Sequence, residues 1–187
     1  MKRIIVVLLS LITCYTFAQK SNINDYLKGQ VPTTENGSVV FNKTFSVPGK
    51  SKAEIFSNLL EYTQGVVKAS EHKDYSKITL QDAEKGYIVS NIQELMYFKR
   101  KSWESDCTDF FYRILITCSD GNFNMKIQDI TYNYENDMNI KAEKWITDLY
   151  ALRSNGKSLR KDTGKFRRFT IDRVKQLMTD AEKAAKE

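Results

Sequence analysis

Two alternating runs meet at Ser119-Asp120-Gly121, and this junction restricts the possible folds more than any other part of the chain. Phe110–Cys118 reads as one continuous strand, and Asn122–Tyr134 reads as a second. Asp-Gly is the pair expected in a tight turn, so the two runs should form an antiparallel hairpin.

The same period of two occurs upstream. In Ser38–Val47, Val39, Phe41, Phe45 and Val47 fall on one face, with Asn42, Thr44 and Ser46 on the other. Lys77–Asp82 alternates through Ile78 and Leu80, and Glu84-Lys85-Gly86 makes a turn into a long strand, Tyr87–Phe98. Both faces of that strand are partly apolar. Ile88, Ile92, Met96 and Phe98 oppose Tyr87, Val89, Leu95 and Tyr97, so either a bulge shifts the register or both faces are partly covered.

Helical spacing appears in three places. Ser51-Lys52-Ala53-Glu54 spells a capping box, and Ile55, Phe56, Leu59, Leu60 and Thr63 share a face up to a stop at Gly65. Ala142, Trp145, Ile146, Leu149 and Leu152 predict a short helix, and Ser154–Gly164 a loop. The final helix, Phe166–Lys186, carries Ile171, Val174, Met178, Ala181 and Ala185 along a narrow stripe. Its last residues, 181–187, are mostly Ala, Lys and Glu and are expected to fray. The fold class is α+β: an antiparallel sheet of about five strands with helices packed on one face, in the order β-α-β-β-β-β-α-α.

That order resembles an exported domain family of unknown function found in Bacteroidetes, the domain of unknown function 4468. The likeness is carried by Val40-Phe41 through Ser51-Lys52-Ala53-Glu54-Ile55-Phe56 and by the Ser119-Asp120-Gly121 hairpin. Trp145-Ile146-Thr147-Asp148 and Gly164-Lys165-Phe166-Arg167-Arg168 add to it, so that it spans about Ser38 to Met178. The resemblance implies a strongly curved sheet like one half of the TATA-binding protein. It implies no activity, and DNA binding does not follow from a shared fold.

Ahead of this body, Met1–Ala18 has the three parts of a secretion signal. Lys2 and Arg3 are followed by an apolar run, Ile4–Ile12, and then by Thr16-Phe17-Ala18 as a cleavage site. The run is too short for a bilayer crossing. The rival reading is lipoprotein processing at Cys14, which Thr13 and Tyr15 disfavour. The chain is thus expected to be exported, to the periplasm, the outer membrane or the medium, with no membrane span after the leader. Residues 19–37 read as a flexible lead-in and 38–180 as one domain. Export permits a disulfide. Cys107 and Cys118 are nevertheless expected to be separated by the strand between them, as two free thiols with one buried.

Chemistry is sparse. His72, in Glu71-His72-Lys73-Asp74, is the only histidine, and it reads as part of a solvated loop rather than a zinc site or a nucleophile's base. The acidic neighbours of Cys107, Asp106 and Asp109, oppose a thiolate. The carboxylate pairs Asp106 with Asp109 and Asp129 with Glu135 read as exposed charges rather than a glycosidase couple. No catalytic, metal or cofactor-binding residue is assigned, and no cofactor is expected. From Ile140 onward there are 13 Lys and Arg against 7 Asp and Glu. Within this segment, Lys165, Arg167 and Arg168 are the candidate site for an anionic partner, such as an envelope protein, glycan or lipid head group. Export argues against nucleic acid. Tyr87, Tyr97, Tyr112, Tyr132 and Tyr134 could line a partly wet binding face or simply stabilise the sheet. The reading that results is a non-catalytic binding module, with a hydrolase or a structural accessory subunit as alternatives.

Overall fold

The computed structural model describes residues 22–70, 74–101 and 104–187. The leader with Cys14, and His72, lie outside them. The elements are β1 (Phe41–Ser46), α1 (Lys52–Ala69), β2 (Lys77–Asp82), β3 (Tyr87–Lys101), β4 (Glu104–Ser119), β5 (Asn122–Tyr134) and β6 (Asp137–Lys141). A short α2 (Asp148–Ala151) and a long α3 (Gly164–Lys186) follow. The sheet is antiparallel in the order β1-β5-β4-β3-β2, with β6 beside the far end of β5. Among the described residues it has six strands, where the sequence led us to expect about five. The extra one, β6, was missed because its five residues carry only Met138 and Ile140 in alternation, too short a run to stand out.

Alternation builds a two-faced sheet. Phe41 and Phe45, Ile88 and Ile92, Phe110 to Ile116 at every second position, and Phe123, Met125 and Ile127 are all buried on one face. α1 and α3 cover that face. The capping box on α1 forms as expected: Ser51 Oγ accepts from Glu54 N, and Glu54 Oε2 accepts from Ser51 N at 2.8 Å. Asp120, in the hairpin turn, accepts from Lys52 N at 2.7 Å, so the β4–β5 turn fastens the start of the helix. At this turn only Gly121 is left-handed (φ 72°). The helix does not stop at Gly65 but continues to Ala69. An interior glycine costs about 1 kcal/mol, and packing of Val66 and Val67 against the core outweighs that.

β3 and β4 are longer than their apolar patterns, pairing from Tyr87↔Thr117 to Lys101↔Glu104. Their outer ends are charged and carry no period. Both readings of β3 hold. The register shifts between Tyr97 and Lys99, and the face bearing Tyr87, Val89, Leu95 and Tyr97 is only partly covered.

Three further expectations are corrected. Residues 22–36 are not a free lead-in. Tyr26 is 2 % exposed with its hydroxyl on Asp172 at 2.8 Å, and Val31 is buried. The 142–152 segment is a 3-10 turn (Ala142–Lys144) and then α2, so Leu149 points outward while Ala142, Ile146 and Leu152 are buried. The end of α3 is helical to Lys186, with Ala181 and Ala185 fully buried. Their small side chains let the helix pack closely, and Tyr62 on α1 donates to the Leu177 carbonyl at 2.9 Å.

Candidate functional site

The three basic residues lie together in sequence but do not form one surface. Arg167 is fully buried. Its guanidinium donates to the carbonyls of Tyr26, Leu27 and Ile146 at 2.6 Å each, and to Asp148 at 2.7 Å. It therefore clasps the N-terminal segment and the α2 approach to the body. Burial lowers its pKa, and the Asp148 carboxylate works against that. Lys165 sits at the edge of an aromatic cluster, 4.7 Å from the Phe98 ring centre and 4.4 Å from that of Tyr134. Its ammonium also donates to Asp106 at 2.7 Å and to Tyr134 Oη at 2.8 Å. Burial works against the charge, but these hydrogen bonds outweigh it and hold the pKa above the ordinary lysine value. Only Arg168 is exposed, stacked 4.9 Å from the Phe169 ring centre.

The residues tested for catalysis are similarly dispersed. Cys107 is half-buried and Cys118 buried, eleven positions apart on β4 and on opposite faces. Burial pushes the Cys118 thiol up to about 11, which keeps it protonated. Asp106 is held by Lys165, while Asp109 belongs to the other face of the same strand. Asp129 pairs with Arg113 at 2.9 Å, and Glu135 lies between β5 and β6. Among the described residues no three His, Cys, Asp or Glu side chains converge as a metal site would require.

The face opposite the helices is different. Leu80 pairs with Val89 and Val89 with Leu115, which joins three apolar side chains across β2, β3 and β4 on the side that, among the described residues, no helix covers. Tyr87 borders them, and a shallow hollow of about 170 Å³ lies between these residues and Thr117. Along the same face Tyr75 meets Phe111 edge to face, with ring centres 5.1 Å apart. Tyr75, Leu80 and Tyr87 are each more than 40 % exposed. A polar knot holds the loop that carries Tyr75: Ser76 Oγ accepts from Gln93 N at 2.8 Å and meets Ser70 Oγ at 2.7 Å. Lys77, Arg113 and Lys126 share this face with Asp109 and Asp129, Arg100 stacks on the Tyr97 ring at its end, and Arg113 is committed to Asp129 and Asn91. The middle of the face is therefore an apolar shelf within mixed charge.

Of the five tyrosines noted from sequence, Tyr112 and Tyr132 are core residues, 1 % and 0 % exposed, and Tyr134 belongs to the Lys165 cluster. Tyr87 and Tyr97 do lie on the open face. Val89 was already noted on a second apolar face, Phe111 and Leu115 were missed although alternation assigns them to water, and Leu80, grouped with Ile78 by its spacing, is turned to the open face by the register shift between the two.

Residues 41–133 match the family described as a domain of unknown function (DUF4468) with TBP-like fold. Among solved structures, the chain is similar to a DUF4468 family protein from Bacteroides ovatus ATCC 8483. The two are 32 % identical over 90 % of this chain and 97 % of that one, with a TM-score of 0.82. It is also similar to a TBP-like protein from Parabacteroides distasonis ATCC 8503, at 26 % identity over 84 % of this chain and 97 % of that one, with a TM-score of 0.65. No curated protein matches it.

Proposed function

Because the chain belongs to the DUF4468 family of TBP-like domains, whose function is unknown, we propose its role from its own surface: it is a non-catalytic binding module that meets a protein partner through its open sheet face. It works in the bacterial envelope, after removal of the leader at residues 1–18. One observation carries this reading. The shelf of Leu80, Tyr87, Val89 and Leu115, continued by Tyr75 and Phe111, is apolar surface that the fold leaves uncovered. Aromatic and aliphatic groups within a polar surround are the usual make-up of the centre of a protein interface. Asp109 and Asp129 interrupt the basic residues around the shelf, which supports a protein rather than a nucleic acid, since the latter would call for a continuous basic surface.

The test uses the mature chain as bait in native envelope extract, beside a Leu80→Asp/Tyr87→Asp double variant. Both substitutions are on exposed positions, so circular dichroism and thermal unfolding should match the parent closely. The reading expects a discrete set of proteins held by the parent and lost from the variant. Equal capture by both rejects it.

A further inference from the structure

The side of β5 away from β4 is shared by two strands that do not meet. β1 pairs with it from Asn122 to Ile127, and β6 from Thr131 to Tyr134. Between them, among the described residues, Gln128, Asp129 and Ile130 have no strand partner on that side. A cleft of about 680 Å³ occupies the break, within the range of small-molecule sites. We propose that this cleft binds a short uncharged saccharide.

Shape excludes an added strand. The break is three residues long, roughly 10 Å at strand spacing. A peptide lying along it would collide with β1 at one end and β6 at the other, whereas a compact ligand of mono- or disaccharide size would not.

The lining selects the chemistry. Hydroxyls come from Ser38 and Thr131, that of Thr34 being engaged with Ser38 in its own turn; amides come from Asn36 and Gln128, and carboxylates from Asp129 and Glu143. Two carboxylates against Lys141 disfavour an anion. Each carboxylate already has a donor, since Asp129 is paired with Arg113 at 2.9 Å and Glu143 Oε1 accepts from Val39 N at 2.8 Å. Neither calls for a cation, yet each has a second oxygen with which to accept a hydroxyl hydrogen. Amide and hydroxyl groups, able both to donate and to accept, match the same dual capacity of sugar hydroxyls.

The site is also held in place before any ligand arrives. Thr34 N donates to the Ser38 carbonyl at 2.9 Å, Ser38 N to Thr34 Oγ1 at 3.2 Å, and Gly37 N to the Thr34 carbonyl at 2.9 Å. Val39, beside that turn, is buried. Across the cleft, Asp129 is left-handed (φ 55°) at the β5 bulge, and Arg113, itself on Asn91 at 3.0 Å, fixes its carboxylate. Such fixing lowers the entropy lost on binding.

The test is a glycan array carrying neutral and acidic saccharides, followed by ¹⁵N NMR titration of the full mature chain with the best neutral hit. Inorganic phosphate and a neutral tetrapeptide are the control probes. The expected result is saturable shifts confined to residues 34–40, 128–131 and 141–143, with Gln128→Ala and Thr131→Val each weakening binding about tenfold or more. The Leu80→Asp/Tyr87→Asp variant should bind the saccharide as the parent does, which separates this site from the sheet face. No binding across the array, preference for acidic glycans, phosphate or the peptide, or shifts elsewhere would overturn the proposal.

Discussion

One strand, β4, separates two chemical regimes. On the helix side, Phe110, Tyr112, Ile114 and Ile116 are each no more than 1 % exposed, and α1 and α3 cover the sheet on which they lie. On the other side Phe111 and Leu115 are half-buried, and beside them Tyr87 and Leu80 are open to solvent. Phe111 and Leu115 are similar in type to the covered residues, and for them only the presence of a covering layer differs. On the covered side apolar area holds the fold together. On the open side it adds little to stability, which leaves it available to a partner. The basic segment teaches the same lesson, because Arg167 and Arg168 are adjacent in sequence and yet one is an internal clasp and the other a surface charge.

Adjacent substitutions can break this comparison. Phe110→Ala should cost about 3–5 kcal/mol in urea unfolding, through lost burial and the cavity left behind, and Phe111→Ala only about 1 kcal/mol. Equal losses would mean that the open face is as structural as the covered one. Arg167→Ala should also cost about 3–5 kcal/mol, since three carbonyls and Asp148 lose their donor, whereas Arg168→Ala should stay within about 0.5 kcal/mol.

Glycines sharpen it further. A Cβ at Gly86 would lie 2.6 Å from the Cys118 carbonyl oxygen, on a left-handed backbone (φ 73°), so Gly86→Ala should lower stability by at least about 2 kcal/mol. Nothing lies within 4 Å of a Cβ at Gly65, and Gly65→Ala should raise stability by about 1 kcal/mol. Thermal melts of the pair read both signs.

A pH effect isolates the covered face. Burial holds the pKa of Tyr112 and Tyr132 above the ordinary tyrosine value. Below that value, about 10, both states are protonated and the contribution is complete. Above it the unfolded chain loses these protons first, so stability should fall as pH rises towards the folded values. Absorbance titration near 295 nm should show Tyr112 and Tyr132 ionising only as the protein unfolds. Smallest of all is Ser90→Ala. The Ser90 hydroxyl is buried and, among the described residues, has no hydrogen-bond partner, so its removal should be neutral or stabilising by up to about 1 kcal/mol.

Local rules made much of the fold legible. The capping box at Ser51–Glu54, the Asp120-Gly121 hairpin and the stripe on α3 act over a few residues, and all appear as read. What failed depended on distant contacts. The ends of β3 and β4 are strands because they pair with each other, although Lys99, Arg100 and Asp106 offer no apolar period. Segment 22–36 is ordered by Arg167 and Asp172, over 130 residues away. Ala181 and Ala185 are buried because α1 lies beside them. The candidate site was the least legible part. Arg167 advertises charge in the sequence, and its burial follows only from which carbonyls converge on it. The shelf was hidden because Leu80, Val89 and Leu115 are far apart in the chain and meet only through strand register.

The central claim, that the uncovered face is the functional one, is tested most directly by site-specific photo-crosslinking in cells. A benzoylphenylalanine would be placed at Tyr87 in one strain and at Lys183, exposed on α3, in another. The account predicts a discrete crosslinked partner from position 87 and none from 183. Crosslinks from 183 with none from 87 would contradict it.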